Sequence, residues 1–158
     1  MKKIWKKIAS LLLSLLICLS TTYSPVLAAG DKAAPTAVTE CSVTGFMTEI
    51  LTLGFEDMGW MNAINNVVVN DTTYTKGTIN RWGSNGNLWE VGSVTGAYGS
   101  YTALKIVNPS TYPAAIKISA DGYQDLNLQV TKNTSSYPYV YTATVVAPAE
   151  KTYSATAA

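Results

Sequence analysis

Apolar and polar residues alternate with a period of two over three separate stretches of the chain. Leu51, Leu53 and Phe55 share one face of the run 49–55. Ile116, Ile118 and Ala120 oppose Lys117 and Ser119 over 115–120, and Leu126, Leu128 and Val130 oppose Asn127, Gln129 and Thr131 over 125–132. Successive side chains of a strand point to opposite faces, so this period predicts antiparallel strands with one wet face. Asp121-Gly122 and Gly83-Ser84-Asn85-Gly86 are expected turns, because Gly and Asn tolerate positive φ. The first of them joins the last two strands as a hairpin or tight corner. One stretch departs from the alternation: Asp57 is an N-cap residue type and Trp60 precedes Ile64 by four, which predicts a short helix over 57–65 that Gly59 weakens. Several short strands and one short helix predict an all-β fold, an antiparallel β-sandwich of Ig-like type.

The same residues form an ordered series: Gly59-Trp60, Ile64, Val67-Val68-Val69-Asn70 and Tyr74, then Ile116-Lys117-Ile118-Ser119-Ala120-Asp121-Gly122-Tyr123. The series resembles the haemoglobin-interacting domain of Gram-positive haem-uptake receptors, over about half of the chain. The resemblance implies a secreted binding module whose partner is a host haemoprotein, haemoglobin, held by surface contacts without catalysis. Fold carries over from such a likeness more firmly than partner does.

Charge and hydropathy at the N-terminus change the picture of the chain's organisation. Lys2, Lys3, Lys6 and Lys7 precede an apolar run over 8–19 broken by Ser10 and Ser14, and Val26-Leu27-Ala28 offers a cleavage site. This pattern predicts a signal peptide over 1–28. The run falls short of the roughly 20 apolar residues that span a bilayer, so the expected location is extracellular, free or associated with the cell surface. Small and polar residues at 29–37 and 147–158 predict a flexible lead-in and tail around a binding domain at 38–146. The 130 residues after cleavage suit one domain with its own core. They carry seven basic and ten acidic residues, net −3, which gives no electrostatic footprint for nucleic acid. Cys41 is their only cysteine, so no internal disulfide is available; a small buried strand residue is its plain reading, an intermolecular bridge or a reactive thiol the alternative, and no neighbouring sequence argues for activation.

Candidate chemistry is sparse. The chain has no histidine, which removes the commonest general base and zinc ligand and the ordinary Ser-His-Asp arrangement. Asn70-Asp71, Asp121 and Asp125 are the residue types turns prefer, and Glu56-Asp57 fits a helix start. No catalytic residue, metal site or cofactor is therefore expected. The aromatic residues are more informative. Trp60, Tyr74 and Tyr123 sit at pattern positions and read as packing. The segment 81–101 is rich in Gly, Ser and Asn, with six glycines from Gly77 to Gly99, and cannot easily bury all its rings. Exposed Trp, Tyr and Arg anchor interfaces, so Arg81, Trp82, Trp89, Tyr98 and Tyr101 are the expected partner-binding residues. Two other functions fit the composition. Trp82, Trp89 and Tyr101 could form a platform for an extracellular glycan or cell-wall sugar, and exposed strand edges could pair in an extracellular matrix.

Overall fold

The computed structural model describes residues 32–147. The expected signal peptide, residues 29–31 and the expected tail beyond Ala147 lie outside the described residues. Nine strands and one helix follow in order: β1 (Glu40–Thr44), β2 (Ile50–Gly54), α1 (Met58–Asn62), β3 (Ile64–Val69), β4 (Thr72–Lys76), β5 (Leu88–Gly96), β6 (Gly99–Val107), β7 (Ala114–Ala120), β8 (Leu126–Asn133) and β9 (Val140–Val146).

The fold is all-β, and the strands make one continuous sheet in the order β1-β2-β6-β5-β4-β3-β7-β8-β9, nearly closed into a barrel. The alternation predicted a sandwich, in which two sheets would be separate. Here β4 joins the halves: it pairs antiparallel with β3 and parallel with β5, the latter through only Thr75↔Leu88 and Lys76↔Trp89. All other strand pairs are antiparallel.

The predicted phase of each alternating run is the observed one. Leu51, Leu53 and Phe55 are buried, as are Ile116, Ile118, Ala120, Leu126, Leu128 and Val130, all in a single core cluster. Strand β2 departs from the expected wet face: it is buried on both sides, Thr52 included, and Ile79 in the loop 77–87 is buried as well. The β7–β8 corner turns at Gly122, φ +77, and Asn70-Asp71 form a two-residue turn with φ +47 and +63. Both residues left-handed is the type I′ geometry that matches strand twist.

Helix α1 is a single turn. The Asp57 carboxylate accepts the Trp60 backbone N–H at 2.8 Å, which satisfies one donor of the helix start. The helix ends earlier than expected, since Ile64 already opens β3 opposite Ala120. Trp60 and Met61 are fully buried, and Phe55 meets the Trp60 ring edge-on with centroids 4.9 Å apart. Lys32, inside the stretch read as a flexible lead-in, is tied to the β7–β8 corner: its N–H donates to the Gly122 carbonyl at 2.9 Å and its own carbonyl accepts from Gln124 N–H at 2.8 Å.

Candidate partner-binding surface

Register assigns every loop to one of two ends. Ile50 lies opposite Val107, Trp89 opposite Ile106, Val69 opposite Thr72, Ala114 opposite Val130, and Asn133 opposite Val140. The loops 45–49, 70–71, 77–87, 108–113 and 134–139 therefore gather at one end of the barrel. The helix, the β5–β6 tip at Ala97-Tyr98 and the β7–β8 corner lie at the other.

Two loops of the first end are locked together. The Asn85 side chain accepts the Asn80 N–H at 2.8 Å and donates toward Asn80 O at 2.6 Å, Gly83 O at 3.0 Å and Thr48 Oγ1 at 2.9 Å. Thr48 in turn donates to Gly83 O at 2.6 Å, and Asn80 Oδ1 accepts the Trp82 N–H at 3.0 Å. Below them the Glu90 carboxylate accepts the Ile79 N–H at 3.2 Å and pairs with Lys105 Nζ at 3.3 Å. Gly45 is required at the start of the neighbouring loop: its φ is +132, and a Cβ there would fall 1.9 Å from Thr48 O.

This hydrogen-bonded base holds up three large apolar side chains. Phe46 is 89 % exposed, Met47 66 % and Trp82 75 %, with exposed Arg81 beside them. Covering the three would contribute about 4–9 kcal/mol before the costs of association. Those costs are about 4–15 kcal/mol, so the knob needs a polar rim to bind tightly. On the same end, Lys132 Nζ sits 4.3 Å from the Tyr139 ring centroid and 5.7 Å from that of Tyr141, with Tyr137 exposed beside Tyr139.

The five residues expected to bind a partner do not form one surface. Arg81 and Trp82 stand on the end just described. Trp89 is corrected to a core residue: it is 1 % exposed, and its indole N–H donates to Tyr74 O at 3.2 Å. It lies in β5 in phase with Val91, facing inward opposite Ile106, and the glycine-rich composition around it concealed that phase. A sugar platform that needs Trp82, Trp89 and Tyr101 together is therefore not available. Tyr98 is fully exposed at the far tip, and Tyr101 lies half-buried near it. Phe46 and Met47 escaped the sequence reading, although two adjacent large apolar residues behind a glycine, out of phase with any strand, were the signal. Tyr137 and Tyr139 flank Pro138 in a similar way.

Cys41 in β1 is half-buried, and burial first, then the Glu40 charge, pushes its thiol up to about 11. A thiol held so far above neutrality is a poor nucleophile. Among the described residues no group of three or more His, Cys, Asp or Glu side chains is placed to hold a metal ion, and no helix is long and apolar enough to cross a membrane. Compared with protein-family models, curated proteins and solved structures, the chain matches none.

Proposed function

We propose that the chain is a secreted, non-catalytic binding module on an Ig-like scaffold that docks a partner protein through Phe46, Met47, Arg81 and Trp82. The observation that carries this reading is the display of three large apolar side chains on two loops cross-braced by Thr48, Asn80 and Asn85. Apolar groups held out of the core give the fold nothing, and rigid aromatic anchors lose little entropy on contact. The Ig-like reading is supported by antiparallel pairing everywhere except β4–β5 and by one core shared between β1-β2-β6-β5 and β3-β7-β8-β9. The haemoprotein partner is supported by the sequence series through Trp60, Asn70 and Tyr123, whose residues build the scaffold rather than the displayed knob.

Biolayer interferometry of the purified chain against methaemoglobin, with apomyoglobin and a glycan panel alongside, tests both parts. Saturable haemoglobin binding that weakens at least tenfold in Trp82→Ala and Phe46→Ala is the expected result. Binding that both variants retain would refute the surface, and no haemoglobin response at high micromolar concentration would refute the partner.

A further inference from the structure

The opposite end of the barrel carries a separate cavity of about 400 Å³, lined by Glu40 from the start of β1 and by Gly96, Tyr98, Gly99, Ser100 and Tyr101 from the β5–β6 hairpin. That volume lies in the lower part of the range of small-molecule sites. Three features of its wall point to one ligand chemistry. Tyr98 is fully exposed at the hairpin tip, with no packing partner for its ring. Gly99, φ +126, makes the tight reversal that sets the ring there, and a Cβ on Gly96 would come within 3.4 Å of the Tyr101 ring edge, so its absence leaves that ring uncovered. Glu40 is half-buried beside Tyr101; its carboxylate accepts from Ser42 Oγ at 3.0 Å and from the Tyr101 phenol, and has no ion-pair partner among the described residues. A carboxylate offers about four acceptor positions, so two donors leave capacity for a further one.

Two phenol rings around a carboxylate that has hydrogen-bond donors but no counter-cation, with no cation in the lining, complement a positive charge that also donates hydrogen bonds. Anions are repelled, and a neutral ligand leaves the half-buried charge unanswered. We propose that this cavity binds a primary alkylammonium group, such as the side chain of a lysine, with Glu40 accepting its N–H donors and the Tyr98 and Tyr101 rings covering its alkyl stem and charge. Free amines and a lysine on a polypeptide share this chemistry, and the site is independent of the docking loops at the other end. A quaternary ammonium can use the rings but cannot donate to Glu40, which makes it the discriminating probe.

The test is a titration of the isotopically labelled chain, followed by the NMR shifts of the Gly96, Gly99 and Ser100 amides. Butylammonium chloride, Nα-acetyl-lysine amide, tetramethylammonium chloride and cellotetraose are compared with sodium chloride at equal ionic strength. Saturable shifts with millimolar butylammonium and acetyl-lysine amide are expected, with tetramethylammonium several-fold weaker. Glu40→Gln should weaken the primary amines about tenfold, the size of one charge-assisted hydrogen bond. Tyr98→Ala, at an exposed tip where the fold has nothing to lose, should weaken them about two- to fivefold, the range of an exposed cation–π contact. Trp82→Ala should leave the titration unchanged. Shifts no larger than those from sodium chloride, equal response to tetramethylammonium, insensitivity to both Glu40→Gln and Tyr98→Ala, or saturation by cellotetraose alone would each overturn the proposal.

Discussion

Replacing Trp89 by alanine tests the division of rings between core and surface. The side chain is 1 % exposed, lies in the core at the register position opposite Ile106, and donates its N–H to Tyr74 O at 3.2 Å. A buried Trp removes about 150–250 Å² from water, worth about 4–6 kcal/mol at 25 cal/mol per Å². Measured Trp-to-Ala costs of about 3–5 kcal/mol agree, and the lost hydrogen bond adds about 1. Trp89→Ala should therefore lose about 4–6 kcal/mol, a large part of the 5–15 typical of a domain. Trp82 is 75 % exposed, so only about a quarter of the same area is at stake and Trp82→Ala should cost about 1 kcal/mol. Urea melts followed by far-UV circular dichroism read both without depending on the fluorophore removed. Trp89→Phe keeps most of the ring but not the donor, and should fall between them at about 1–2 kcal/mol even if the alanine variant fails to fold. A Trp89→Ala protein within 1 kcal/mol of the parent, or a Trp82→Ala protein less stable than it, would refute the assignment.

Asn85→Ala removes the brace between the loops 45–49 and 77–87; it should cost about 1–2 kcal/mol and speed hydrogen exchange at the Asn80 amide, while exchange in β7–β8 stays as it was. Gly54→Ala places a Cβ 2.8 Å from Thr39 Oγ1 and 3.0 Å from Glu40 Cβ and should cost about 1–3 kcal/mol in the same melts, whereas Gly86→Ala meets nothing within 4 Å and should be neutral or slightly stabilising. Stability should also fall at high pH. Burial, then Glu40, raises the Cys41 thiol from 9.0 to about 11; burial, then the Glu40 hydrogen bond and charge, raises the Tyr101 phenol from 10.0 to about 12. Both folded-state values exceed the unfolded ones, so their contribution is complete below pH 9 and is lost as pH rises to 12. Urea midpoints that rise over that window would contradict the sign.

Strand phase was legible because β7 and β8 each bury one face and wet the other, and a one-residue slip would have turned Ile116, Ile118, Leu126 and Leu128 to solvent. The Asp57 cap and the Asp121-Gly122 corner were legible for the same local reason, since each is a side-chain or backbone preference spent within a few residues. What the alternation could not carry is the partner of an edge. Whether β4 ends one sheet or continues into β5 depends on two residue pairs, Thr75↔Leu88 and Lys76↔Trp89, separated in sequence by the whole loop 77–87. No period in the chain encodes that junction, and it decides between two sheets and one.

The binding residues were harder to sort because composition reports what a segment holds and not where its strands begin. The segment 81–101 reads as one polar, aromatic loop, yet β5 enters at Leu88 and runs the length of the barrel before turning at Ala97-Tyr98. A strand of nine residues spans about 30 Å at 3.3 Å per residue, so Trp82 and Tyr98 are carried to opposite ends while Trp89 passes through the core. Segments distant in sequence meet instead: the loops bearing Phe46 and Trp82 at one end through Thr48 and Gly83, Glu40 and Tyr101 at the other through the order β1-β2-β6. Between the two ends lies the continuously paired ladder of β2, β6 and β5. The two surfaces should therefore bind without coupling, and a saturating alkylammonium at the Tyr98 end should leave the affinity of the Trp82 end for its protein partner unaltered. A coupling of more than about threefold, about 0.65 kcal/mol, would mean that the barrel has two arrangements which both sites bias.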